Sequence, residues 1–188
     1  MAKGGNDAAA QCGRIMEEVR NGVFRPVYLL MGDEPYYPEL ACKAIMDNCL
    51  EDYERDFNET VCYGPEVTVD QVVTAARRFP MMAERQLVVV KEAQGLKKIE
   101  DLAVYTAEPL ESTVLVLLFH RAKLDKRYGL YKSISKTGAV LDSPAIRDYE
   151  VPNWIVSFYT SKGLQIDPQA AALLAEDAGT DLSVINAE

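Results

Sequence analysis

The stretch Val27-Tyr28-Leu29-Leu30-Met31-Gly32-Asp33-Glu34-Pro35-Tyr36-Tyr37-Pro38-Glu39 decides how the rest of the chain is read. Its first five residues form an uninterrupted apolar run that stops at a glycine, the pattern of a strand buried on both faces. After such a strand, a nucleotide-binding sheet carries the loop G-x-x-x-x-G-K-[ST]. Gly32 fits the first glycine of that loop. Tyr37 stands at the second glycine, Pro38 at the lysine and Glu39 at the hydroxyl residue. Two prolines remove backbone N–H donors, and carboxylates replace the cation, so this segment does not cradle a triphosphate in the usual way. Asp33 and Glu34 read instead as charges favoured at a helix N-terminus.

Outward from this stretch, strand and helix signals alternate. Pro35 to Leu50 carries apolar residues at helical spacing (Leu40, Ala41, Ala44, Ile45). Phe57–Tyr63 alternates as a half-exposed strand closed by Gly64-Pro65. Thr68 and Gln71 have capping-box spacing and open a helix through Val69, Val72, Val73 and Ala76, which Pro80 ends after Phe79. Leu87–Val90 and Val114–Phe119 are further apolar runs. Helices are expected over Leu96–Thr106 and Asp125–Lys136, and a last short strand over Ala139–Leu141. Fully apolar strands separated by helices predict an α/β fold with a parallel five-stranded sheet covered on both faces.

After Ser143-Pro144 the pattern becomes purely helical. Tyr149–Lys162, Pro168–Ala178 and a segment from Asp181 onward predict three helices, the second opened by Asp167-Pro168. The third is cut off in mid-course at Glu188, which predicts a truncated chain. Residues 1–10, rich in Ala and Gly, are expected to fray. The division expected is residues 1–143 as one domain and 144–188 as a small helical one.

Composition narrows the function classes. Of 188 residues, 48% are hydrophobic, which supports a full core, and the formal net charge of −9 opposes tight autonomous binding to a phosphate backbone. The four cysteines (Cys12, Cys42, Cys49, Cys62) form no CxxC pair and the chain has one histidine, so metal ligands at useful spacing are too few. Cys42 and Cys49, seven apart on one helix face, read as buried thiols in a reducing cytosol. No apolar run approaches the ~20 residues of a membrane span, and no secretory leader opens the chain. The strand end after Leu87–Val90 holds Lys91-Glu92, where a magnesium carboxylate or a receiver's acceptor Asp would stand. His120 follows a strand without a Ser or Cys at motif spacing and reads as structural or solvated. Trp154 reads as a core anchor of the helical part.

One segment resists explanation by sheet packing. Met81 and Met82 lie beyond Pro80 in the connection after Phe79, where two adjacent methionines do not both point inward easily. Methionine is adaptable and suits partner surfaces, while core packing is the alternative.

With these residues in hand, the chain resembles the DNA polymerase III delta subunit, a clamp-loader family of AAA+ type. The resemblance is carried by Val27–Tyr36, by Phe79–Lys91 (FPMMAERQLVVVK), by Ser112–Leu118 (STVLVLL), by Lys123-Leu124-Asp125-Lys126, by Val151-Pro152-Asn153-Trp154-Ile155 and by Gly179-Thr180-Asp181-Leu182-Ser183. It implies a RecA-like domain, a helical lid and a C-terminal collar, the last absent from this sequence. It implies no intrinsic ATPase and no cofactor, although the family works inside a nucleotidyltransferase holoenzyme. It further implies cytoplasmic action on the beta sliding clamp, with gamma/tau and delta prime as companions and DNA as an indirect partner. The clamp-binding residues it implies are Phe79, Met81 and Met82, with Arg85 at the rim; Met82 stands where some relatives look aromatic. A nucleotide-driven ATPase and a phosphorelay receiver are the rival readings, opposed respectively by Tyr37, Pro38 and Lys91, and by the missing Asp after Leu87–Val90.

Overall fold

A computed structural model describes residues 3–178 and 182. Five strands form one parallel sheet: β1 (Val27–Gly32), β2 (Glu59–Tyr63), β3 (Gln86–Lys91), β4 (Thr113–Leu118) and β5 (Ala139–Ser143), in the order β2-β3-β4-β1-β5. The helices are α1 (Lys3–Arg20), α2 (Tyr36–Cys49), α3 (Arg55–Asn58), α4 (Val69–Ala76), α5 (Ala103–Ala107), α6 (Gly129–Thr137), α7 (Val151–Ser161) and α8 (Pro168–Ala178).

The apolar runs are continuous because both faces of the sheet are covered. Successive side chains leave a strand on opposite sides. Tyr28 and Leu30 of β1, with Leu87, Val89, Val114 and Val116, meet α1 and α2 on one face. Val27, Leu29 and Met31, with Val88, Val90, Leu115 and Leu117, meet α4 and α6 on the other. Each fully buried Leu, Ile, Val or Met contributes roughly 1.5–3 kcal/mol, so these two layers supply most of the driving force for the fold. The edge strand β2 is less apolar, and its Val61 and Tyr63 remain exposed.

Several sequence expectations are corrected. The N-terminal segment is not frayed where it is described: helix α1 begins at Lys3. Ala8, Cys12, Ile15 and Val19 fall on one helical stripe and are buried, the last three against α2 and the sheet, so tertiary packing overrides the glycines at the helix start. Phe57 precedes β2 and lies in α3 rather than on a strand. Helix α4 ends at Ala76, before Phe79 and Pro80. Leu96–Thr106 is not one helix: Ala93–Gly95 and Ile99–Leu102 are 3₁₀ turns separated by Lys98 at φ 57°, and only Ala103–Ala107 is α-helical. Helix α6 starts at Gly129, four residues later than expected. The capping box of Thr68 and Gln71 is present, with Thr68 Oγ1 accepting from Gln71 N at 3.3 Å.

After β5 a 3₁₀ turn, Asp148–Glu150, leads into α7, and α8 follows. Val151, Ile155, Ala171 and Leu182 are buried together, with Trp154, Phe158 and Tyr159 packed around them and Tyr36 of α2 joining from the sheet. Apart from Leu182, the helix expected from Asp181 onward lies outside the described residues. Among the described residues no helix is long and apolar enough to cross a membrane.

Candidate functional site: two ends of one sheet

A parallel sheet has two unlike ends, and the sequence singles out one segment at each. The carboxyl end of β1 is where an open α/β sheet holds a ligand. Gly32 sits there at φ 147°, and a Cβ on it would come within 2.0 Å of the Ser143 carbonyl oxygen, so only glycine fits. Beyond it, Glu34 is buried, and its carboxylate accepts from the Tyr36 N–H at 3.0 Å. The chain's own carboxylate thus occupies the first amide of α2, a donor that an anion would otherwise take at a helix N-terminus. Pro38, in the same turn, has no N–H to offer.

Two lysines nearby are already paired with carboxylates. Lys123 Nζ lies 2.7 Å from the Asp33 carboxylate and 3.8 Å from Asp142, and Lys126 pairs with Asp142 at 2.8 Å. Glu39 faces His120 Nδ1 at 3.5 Å, both about half exposed, and the His120 backbone N–H donates to Gln94 Oε1. Among the described residues no group of three His, Cys, Asp or Glu is placed to hold an ion.

Tyr37, the residue at the second loop glycine, carries the junction with α7. Trp154 Nε1 donates to its hydroxyl at 2.6 Å. Trp154 stacks on Phe158 with centroids 4.9 Å apart, and Tyr36 meets Trp154 edge-on at 5.8 Å. Burial pushes the Tyr36 hydroxyl up to about 12, and raises that of Tyr37 against the lowering effect of the Trp154 hydrogen bond. Beside these rings runs an open groove of about 820 Å³, walled by Cys12, Met16, Tyr37, Leu40, Trp154 and Phe158. Glu150 lines it, and no described lining residue is Lys or Arg. The arrangement offers a triphosphate carboxylates and aromatic rings where it needs amides and cations.

The other end of the sheet presents the connection between α4 and β3. Phe79, Met81 and Met82 are 77%, 60% and 99% exposed. Met82 has φ 55°, a left-handed conformation that costs a non-glycine residue roughly 1–2 kcal/mol and persists only where neighbours impose it. Two buried carboxamides hold the chain on the N-terminal side of Met82. Gln86, first residue of β3, donates through Nε2 to the Arg78 carbonyl at 2.5 Å and to Thr113 Oγ1 at 2.9 Å, closing the end of α4. Asn58, last residue of α3, accepts from Met81 N at 2.6 Å and donates to Met81 O at 3.0 Å. Arg85 lies over the Phe24 ring, 4.6 Å from its centroid, with Glu84 at 3.1 Å. The structure therefore brings Phe79, Met81 and Met82 together on one exposed turn and lays Arg85 at its edge.

Sequence reasoning missed Asn58 and Phe24 altogether. Nothing local marks Asn58, since its partner lies 23 residues away. The aromatic residues beside it, Tyr53 and Phe57, are also exposed. The placement of the loop opposite the Gly32 end follows from parallel pairing of all the strands.

Comparison with known proteins agrees with the sequence resemblance. The family model described as "DNA polymerase III, delta subunit" matches residues 28–143. The chain is 30% identical over 167 residues to the DNA polymerase III subunit delta of Bacillus subtilis, covering 84% of this chain and 48% of that protein. A solved Bacillus subtilis DNA clamp loader delta protein superposes with a TM-score of 0.75 at 27% identity, covering 93% of this chain and 54% of the other. A mutant RuvB of Thermotoga maritima matches with a TM-score of 0.52 at 17% identity, a likeness of fold alone. The chain spans about half the length of these delta relatives. Sheet, matched residues and relatives lead to one conclusion: the chain belongs to the DNA polymerase III delta subunit family.

Proposed function

We propose that this chain is the clamp-gripping part of a bacterial clamp loader. It binds the beta sliding clamp through Phe79, Met81 and Met82, with Arg85 at the rim, and favours the clamp's open form. The observation that carries this reading is the turn itself: three large apolar side chains stand in solvent on a loop held at its base by hydrogen bonds from two buried carboxamides. Exposed apolar side chains on a pre-ordered loop suit insertion into a partner's pocket, since little ordering remains to be done on binding. Opening requires only that the open clamp be bound more tightly than the closed one, because a ligand shifts an equilibrium by its differential affinity.

In this reading residues 1–143 form the RecA-like, clamp-binding domain and 144–188 the start of a helical lid. The chain has no ATPase of its own, acts in the cytoplasm, joins gamma/tau and delta prime in the full-length protein, and meets DNA indirectly. The net charge of −9 favours a protein partner over bare DNA. The test is surface plasmon resonance of the chain over immobilised cognate clamp. Saturable, specific binding is the expected result, and no binding at tens of micromolar overturns the proposal.

A further inference from the structure

We infer that Asn58 is the positioning residue of the Phe79–Arg85 loop, holding it in its partner-ready shape from another strand's approach. The inference rests on the reading of that loop as the clamp-binding element. Asn58 is buried, with 3% of its surface accessible, and its whole carboxamide is committed. Oδ1 accepts from Met81 N at 2.6 Å, while Nδ2 donates to Met81 O at 3.0 Å and to Glu54 O at 2.9 Å. Both backbone groups of one loop residue are thus read by one side chain, as a neighbouring strand would read them. The next residue, Met82, takes the left-handed φ of 55° and is almost wholly exposed.

A buried carboxamide that pairs with both the N–H and the C=O of Met81 is the group here that can determine where Met82 points. Without it the two backbone groups turn to water, and the αL turn, intrinsically unfavourable for methionine, relaxes among alternatives. Binding would then have to reorder the loop each time. Asn58 itself stays buried beneath the surface, so its role acts through the loop.

The experiment is a double-mutant cycle on the cognate clamp, read by surface plasmon resonance and accompanied by melting curves. Asn58→Ala is expected to weaken clamp binding about tenfold in the parent chain, mainly by slowing productive association. In the Met81→Ala, Met82→Ala background the same substitution is expected to change affinity by less than about twofold, since the two methionine side chains at and next to the residue it grips are gone. Equal losses in both backgrounds, or parent-like binding by Asn58→Ala, overturn the inference. Parent-like binding by the Met81→Ala, Met82→Ala chain overturns the reading beneath it instead, so the two failures are distinct. Amide hydrogen exchange in the unmutated chain gives a test that survives a poorly folded variant. The Met81 N–H is expected to be protected at least tenfold more than the Met82 and Ala83 amides, and exchange at an unprotected loop rate refutes the clip.

Discussion

Replacing Met81 and Met82 together with alanine tests the clamp-binding turn with the sharpest separation between function and stability. Full burial of a methionine is worth roughly 1.5–3 kcal/mol. Met82 is 99% exposed and contributes almost nothing to folding through burial, while Met81, 60% exposed, contributes somewhat under half of that figure. The double variant should therefore lose only about 1 kcal/mol of stability, and its Tm should fall by no more than about 4 °C for a chain of this size. Alanine also keeps Met82's left-handed strain unchanged, since both residues carry a Cβ. At the clamp the arithmetic reverses, because the exposed fractions of both side chains remain to be buried. Their combined upper bound is about 2.5–5 kcal/mol, and about 2 kcal/mol of realised loss is a 30-fold weaker complex. Surface plasmon resonance against the cognate clamp, with a melting curve for each chain, measures both quantities. Unchanged affinity refutes the assignment of the turn. A Tm lowered by 10 °C or more refutes the burial argument, because it would mean the methionines pack in the core of the protein in solution.

Other outcomes follow from the opposite end of the sheet and from the core. Calorimetric titration with ATP and magnesium should show no saturable micromolar binding, because Glu34 occupies the Tyr36 amide and Lys123 is shared between Asp33 and Asp142; measured binding would reject this. Gly32→Ala should cost about 3 kcal/mol or more and lower Tm by roughly 6–12 °C, since its Cβ meets the Ser143 carbonyl at 2.0 Å. A parent-like melting curve would contradict that geometry. Burial pushes the thiols of Cys12 and Cys42 up to about 11 and that of Cys49 up to about 12, from an ordinary value of 9.0. Between these values the unfolded chain has lost protons that the folded chain retains, so stability should fall as pH rises above 9, as urea unfolding at pH 8 and 10.5 would show. The same thiols should resist a disulfide-exchange reagent at pH 8 until the chain unfolds, and rapid labelling of all the buried cysteines in the folded protein would count against this.

The central layer of this protein was legible from residue order alone. Val27–Met31, Leu87–Val90 and Val114–Phe119 are apolar without interruption because each strand is buried on both faces, and only a sheet covered on both sides requires that. The altered loop at Tyr37, Pro38 and Glu39 was legible for a similar reason: the chemistry of a phosphate cradle depends on consecutive residues. Helix α1 escaped, because its early glycines oppose a helix and mask the preference of its alanines, and its stripe of Cys12, Ile15 and Val19 gains its burial only by lying on α2 and the sheet. The broken turns over Ala93–Leu102 escaped as well, since nothing in the propensity of Lys98 announces its left-handed φ. At the candidate site, sequence named Phe79, Met81 and Met82, whose apolar character in a loop is anomalous locally. What holds them out was decided by the tertiary structure. Asn58 and Gln86 act across 23 and 27 residues, on Met81 and Thr113, and hydrogen bonds of that reach leave no periodic trace, because they depend on which strands the fold sets side by side.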